Sequence, residues 1–242
     1  MEKQEKIVQM FNDIAPTYDL ANRVLSMGAD VSWRKIACKT VLSNFKNSSV
    51  NIVDVACGTG DMMGFWQKTA GEFNAKIENL IGVDPSSGML AVAKQKFPEF
   101  KFIEALATQT TLDSGSMDVL SISYGIRNVV EREAALKEFN RVLKTGGYVV
   151  VLEFTKRKKS GILTGARDFY LSKILPKIGA FISKNKEAYE YLPSSIGSFL
   201  DAASFSEKLK NAGFELRVQK GFSFDVSTLF IAEKIAQKSD DA

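Results

Sequence analysis

The sequence predicts an α/β fold built on a doubly wound, Rossmann-like parallel sheet, and three observations carry that reading. Residues 50–61 run Val-Asn-Ile-Val-Asp-Val-Ala-Cys-Gly-Thr-Gly-Asp, a buried strand that breaks into a glycine turn and a helix N-terminus. A second apolar run, 79–84, ends on Asp84, an acid at a strand tip where a carboxylate can accept from both hydroxyls of a ribose. Strand candidates then alternate with helical patterns along most of the chain. With 242 residues there is enough chain to bury a central sheet, and 45% apolar with 25% charged residues is the composition of a soluble globular protein.

Taken in order, the strand candidates are 50–55, 79–84, 100–104, 117–123, 147–154, 214–219 and 226–233. A helix from Met62 to Ala70 follows the glycine turn. Ser86 or Ser87 can cap the next helix, through Met89, Leu90, Val92 and Ala93, which stops before Phe97-Pro98. Glu131 to Leu143 is amphipathic, with Gly146-Gly147 read as its stop, and Gly213 closes the last helix. Strands six and seven are separated by a short turn, so they should pair antiparallel. The chain reads as a single domain over 1–242, with an N-terminal lid over about 1–45 and a helical insertion over about 156–200 between strands five and six.

The spacing of the glycine turn selects its ligand. A dinucleotide fingerprint wants a third glycine where this chain has Met63, and Gly64 is one residue out of register. The pattern Asp54-x-x-x-Gly58-x-Gly60 is the one S-adenosylmethionine (SAM) methyltransferases use, with the turn against the amino-acid end of the cofactor. Seven strands ending in an antiparallel hairpin, with helices on both faces, are the layout of a class I SAM-dependent methyltransferase. A plain βα turn without a ligand is the duller alternative, disfavoured by an acid at both strand tips. Asp61 either meets the cofactor or caps the helix that follows.

Histidine is absent, so no His base, metal ligand or catalytic triad exists, and Cys38 and Cys57 lack zinc-site spacing. No metal is expected. Two cysteines and a charged start without an apolar signal core point to a reducing cytoplasm. The net charge of +4 is modest, and no basic stripe interleaves with aromatics, so nucleic acid is not an expected partner.

Two segments go beyond the generic core. Near the start stands Tyr18-Asp19-Leu20-Ala21-Asn22-Arg23-Val24-Leu25-Ser26-Met27-Gly28, then Trp33-Arg34. Later come Ser123-Tyr124-Gly125-Ile126-Arg127-Asn128-Val129, Arg141-Val142-Leu143-Lys144-Thr145-Gly146-Gly147 and Leu152-Glu153-Phe154. With the glycine turn, these segments make the chain resemble the UbiE family of menaquinone and ubiquinone biosynthesis methyltransferases, from about Phe11 to about Lys234. The resemblance implies C-methylation of a polyprenylated quinol ring, either a demethylmenaquinol or a methoxy-polyprenyl-benzoquinol, with SAM as methyl donor. It implies SAM contacts at Thr59, Asp84, Ser123 and the Leu106-Ala107 pair, where the family has an acidic or amide side chain before the alanine. Leu106 cannot make that bond, which leaves it to backbone groups, Thr108 or Gln109. A usual family His is here Asp30.

For the chemistry, a quinol hydroxyl titrates near tyrosine, about 10, so the site must favour its ionised form. A fixed guanidinium does so, and Arg127 is the candidate, with a bridge to Glu131 or another local acid as its plainer role. Asn128 would orient the hydroxyl or a water, Tyr18 would close over the cofactor, and Tyr124 would flank the ring. The basic run Lys156-Arg157-Lys158-Lys159 and the apolar stretch 162–182 suit either a prenyl tail, peripheral contact at the inner face of a membrane, or a solvated loop and packed lid helix. Interspersed charges exclude a bilayer span. Monomer and homodimer both stay open. The rival classes are a nicotinamide-dependent reductase, disfavoured by Met63 and by the lack of a Tyr-x-x-x-Lys pair, a methyltransferase for another small molecule, and a methyltransferase fold kept only for binding.

Overall fold

The computed structural model describes residues 2–156, 186–223 and 225–236. Its seven strands are β1 (Ser49–Val55), β2 (Lys76–Asp84), β3 (Lys101–Glu104), β4 (Met117–Ser123), β5 (Leu143–Phe154), β6 (Phe214–Phe222) and β7 (Ser227–Lys234). They form one sheet in the order β3-β2-β1-β4-β5-β7-β6. The first five are parallel, and β7 runs antiparallel to both β5 and β6. The reversal of strand order at β1 and β4 opens a crevice at the carboxyl ends of the strands, where such sheets bind ligands.

Alternation along the buried strands separates two apolar layers. Val53, Val55, Leu120, Ile122 and Val151 face α6 (Arg132–Val142) and α8 (Ala202–Asn211), which contribute Phe139, Phe205 and Leu209. Ile52, Val119, Val150 and Leu152 face the other way, onto α3 (Ala29–Leu42) and α4 (Asp61–Ala70), against Val41, Met63 and Trp66. A smaller cluster of Ile14, Ala15, Ala21 and Met89 seats the N-terminal helices α1 (Glu2–Ile14) and α2 (Tyr18–Leu25) on α5 (Ser87–Lys96).

The predicted glycine stop after α6 is corrected. The helix ends at Val142, and Leu143 is already extended, because β5 starts there by pairing Leu143 with Met117. The register shifts before Val119 pairs with Tyr148, and Gly146 sits at φ 81°, so the glycine pair forms a bulge inside the strand. β2 likewise starts at Lys76, earlier than expected, because Lys76 and Ile77 pair with Ser49 and Val50 of β1 although only Ile77 of its first four residues is apolar. Ser86 caps α5 as read, its hydroxyl accepting from the Met89 N–H at 3.1 Å. Within the expected insertion, Lys186–Ser198 forms helix α7. Arg157, Lys158, Lys159 and the apolar stretch 162–182 lie outside the described residues.

Candidate active site

A cavity of about 630 Å³ opens where β1, β2 and β4 end. One wall is the sheet edge, with Gly58 from the glycine turn, Asp84 at the tip of β2 and Ser123 at the tip of β4. The opposite wall is the lid, with Val8 and Phe11 of α1 and Tyr18 at the start of α2. Leu106, Ala107 and Thr108 close one end, and Asn128 and Val129 line another part. Of the two side chains considered as substitutes for Leu106, Thr108 lies on the cavity wall.

The glycine turn needs a left-handed backbone, with Gly58 at φ 56° and Gly60 at φ 83°. Gly58 sends its N–H to Asp84 Oδ2 at 2.8 Å, and Ser86 N–H donates to Asp84 Oδ1 at 2.8 Å. The carboxylate is thus held rigidly between two turns. Burial pushes its pKa up to about 6 against the pull of those two bonds. Each oxygen keeps a lone pair, so this buried acid on the cavity wall suits the two hydroxyls of a ribose such as SAM carries. A third glycine, Gly125, lets the turn after β4 approach the glycine turn, since a Cβ there would lie 2.6 Å from that of Ala56.

Other expected cofactor residues support the turn from behind. Asp54 is buried and accepts from Ser121 Oγ at 2.6 Å, and burial raises its pKa to about 7. Thr59 gives its hydroxyl to Asp19 of α2 at 2.5 Å. Asp61 does not cap α4, whose N-cap is Gly60. Burial pushes its carboxyl up, but Lys96 and the neighbouring arginines outweigh that and hold it low. Its oxygens pair with Arg23 at 2.5 Å and Lys96 at 2.8 Å, and Lys96 reaches Asp19 at 2.6 Å. Asp30, at the usual family His position, is buried between Arg23 and Arg34 and also accepts from Ser26 Oγ. The departure thus builds an ionic chain that ties α2 and α3 to the glycine turn.

Arg127 pairs with an acid, as in its plainer reading, and that acid is Glu153. The arginine is buried, its Nη1 lies 2.7 Å from the fully buried Glu153, and the same nitrogen donates to the Tyr124 carbonyl at 2.5 Å. Glu131 is not its acid. Glu153 can serve because β4 and β5 are neighbours and the two residues leave the sheet at the same end. Tyr124 does not flank a ring in the cavity by its phenol, which packs 4.7 Å from Phe154, lies under Arg34 and meets Ser227 Oγ at 3.1 Å. Burial raises its pKa, and burial also raises that of Tyr18 against the charge of Arg127. Both phenols therefore stay protonated.

Two contributors escaped the sequence reading. Asn12 of α1 accepts from Ser86 Oγ at 2.7 Å and from Gly88 N–H at 2.9 Å, pinning the lid over the β2 tip. Gly88 was the available signal, because a Cβ there would lie 3.0 Å from the Asn12 backbone. Tyr191 of α7 donates to Asn128 Oδ1 at 3.1 Å and had no local motif to mark it. Among the described residues no group of three or more His, Cys, Asp or Glu is arranged to hold a metal ion, and no helix is long and apolar enough to cross a membrane.

The sheet order, the antiparallel last strand and the glycine turn facing a strand-tip acid define a SAM-dependent methyltransferase of class I. A solved SAM-dependent methyltransferase from Aquifex aeolicus shares this fold, with a TM-score of 0.56 over 82% of this chain and 89% of that one at 14% identity. The model of the ubiE/COQ5 methyltransferase family matches residues 1–234, and the chain belongs to that family. It is 61% identical to the ubiquinone/menaquinone biosynthesis C-methyltransferase UbiE of Campylobacter jejuni, covering 97% of this chain and all of that one. It is 36% identical to a demethylmenaquinone methyltransferase of Chlorobaculum tepidum, covering 96% and 94% of the two chains.

Proposed function

We propose that this protein methylates a ring carbon of a polyprenylated quinol in menaquinone or ubiquinone biosynthesis, as a single methyltransferase domain over 1–242. The observation that carries the reading is one cavity lined both by a ribose-suited acid, Asp84, and by a hydrogen-bonding amide, Asn128, under a lid with apolar Val8 and Phe11. The relatives at 61% and 36% identity, a ubiquinone/menaquinone biosynthesis C-methyltransferase and a demethylmenaquinone methyltransferase, agree with it. SAM supplies an electrophilic methyl group, and the ring supplies the electron pair for the new carbon–carbon bond as the sulfur–methyl bond breaks. The hydroxyl proton leaves as the oxygen ionises, the ring proton at the methylated carbon is lost as the ring regains aromaticity, and the oxygen takes a proton back, so one proton is released in all.

The protein's own groups make that ring carbon nucleophilic by favouring the ionised quinol oxygen. Asn128 donates an N–H to it. Arg127 acts from behind, holding the Tyr124 carbonyl and Glu153 so that the loop carrying Asn128 keeps its shape. Tyr18 closes over the cofactor, and Asp54, Gly58, Thr59, Gly60, Asp84, Leu106, Ala107 and Ser123 are the proposed SAM contacts or their supports. Holding the reacting atoms in line supplies much of the remaining rate.

The test is methyl transfer from labelled SAM to reduced demethylmenaquinone and to a ubiquinone-type precursor, with wild type and Arg127→Ala. Product from the wild type and a collapse in the variant at unchanged SAM affinity support the reading. A wild type that binds SAM and methylates neither quinol overturns the substrate. We further propose peripheral membrane contact through the basic run Lys156 to Lys159. Liposome co-sedimentation indifferent to salt and to neutralising that run would remove the electrostatic part.

A further inference from the structure

The loop 124–128 ends beside α7, a helix that follows the long segment after β5 and touches the loop with two side chains. Ser195 Oγ lies 3.4 Å from Arg127 Nε, and Tyr191 donates to Asn128 Oδ1 at 3.1 Å. Asn128 is buried and lines the cavity. On its other side, Nδ2 donates to the Tyr124 carbonyl at 3.4 Å. A carbonyl can only accept, so it demands the NH2 end of the amide, and a phenol hydroxyl beside the remaining end supplies the donor that Oδ1 needs. The carbonyl selects the amide orientation, and the hydroxyl, free to donate, reinforces it at Oδ1. They leave Nδ2 with a second hydrogen, while the oxygen that would repel a phenolate is occupied.

We infer that Tyr191 is a positioning residue for methyl transfer, its hydroxyl holding the Asn128 amide at Oδ1 in the orientation the Tyr124 carbonyl selects, so that N–H rather than C=O serves the reacting quinol oxygen. This rests on the proposed quinol chemistry. Burial raises the Tyr191 pKa, opposed by Arg127 and Arg132 and reinforced by Glu153, so the phenol remains a donor at neutral pH. Its ring is partly buried, and Phe keeps the same shape without the hydroxyl.

The experiment measures kcat and kcat/KM against pH for wild type, Tyr191→Phe, Asn128→Ala and the double variant, with SAM and reduced demethylmenaquinone, alongside SAM affinity and melting temperature. Tyr191→Phe should lower kcat about tenfold at neutral pH, the size of one hydrogen bond to a developing charge. The deficit should shrink as pH rises and the quinol ionises unaided, while SAM affinity and melting temperature hold. Tyr191→Phe should add nothing in the Asn128→Ala background. A wild-type pH profile in Tyr191→Phe, a loss equal at every pH, or additive losses in the double variant would overturn the inference while leaving the quinol reading intact. A wild type that does not methylate the quinol would overturn both.

Discussion

Asp84 sits between two backbone donors yet titrates near pH 6, because burial outweighs both bonds. A ribose diol donates to the carboxylate and loses that acceptor when it is protonated. SAM affinity should therefore fall by about tenfold between pH 7 and pH 5, and Asp84→Asn should bind weakly without this slope, as read by titration calorimetry. The sign for folding is opposite. A raised carboxyl pKa means the folded chain holds the proton more tightly, so this group's contribution is present below 3.8 and lost as pH rises through about 6. Asp84 could be picked out beforehand because a strand tip is a local pattern. Arg127 could be singled out but not its partner, since Glu153 comes from a separate motif and meets it only when β4 and β5 pair. Nothing near Tyr191 in sequence marks it either, because its significance lies wholly in reaching Asn128.

Helices α2 and α3 are tied to the glycine turn by charge as well as by the apolar packing of α3. Asp30 is the centre of that attachment, with Arg23, Arg34 and Ser26 on its oxygens. Arg34 is 6% exposed and its Nε has no hydrogen-bond partner, so it has little access to water if Asp30 is removed. Asp30→Ala should destabilise the fold by about 3 kcal/mol, the cost of leaving a buried charge unpaired. Arg23→Ala removes a partly exposed partner and leaves the Asp30–Arg34 pair intact, so thermal denaturation should separate the two variants clearly. Gly125→Ala should cut methyl transfer with a smaller effect on stability, because the added Cβ would push the turn after β4 off Ala56 and carry Asn128 with it. These elements were unevenly readable. Strands with apolar runs were found within a residue or two, whereas the starts of β2 and β5 and the end of β6, which runs to Phe222 and not 219, were missed because pairing with a neighbour, and not hydrophobicity, decides them. The lid was expected as a segment, but its fit over the β2 tip depends on Asn12 meeting Ser86 and Gly88, groups far apart in the chain.

The cavity is assembled from both the sheet edge and the N-terminal lid, so a ligand within it should join two parts of the molecule that the chain connects only through α3 and β1. Such a ligand binds the folded state and not the unfolded one, which makes stability depend on its concentration. At SAM a hundred times above its dissociation constant the gain is about 2.7 kcal/mol. For a chain of this length that corresponds to a rise of roughly 5–10 °C in melting temperature. Deleting residues 2–14 removes α1, and with it the α1 part of the lid wall and the Asn12 contacts, while leaving Tyr18 and every strand of the sheet in the chain. The truncated chain should still melt cooperatively but should lose most of the SAM-dependent rise, as scanning calorimetry with and without SAM will read. A truncated chain that keeps the full rise would mean that the sheet edge alone holds the cofactor and that α1 serves the quinol side of the cavity instead.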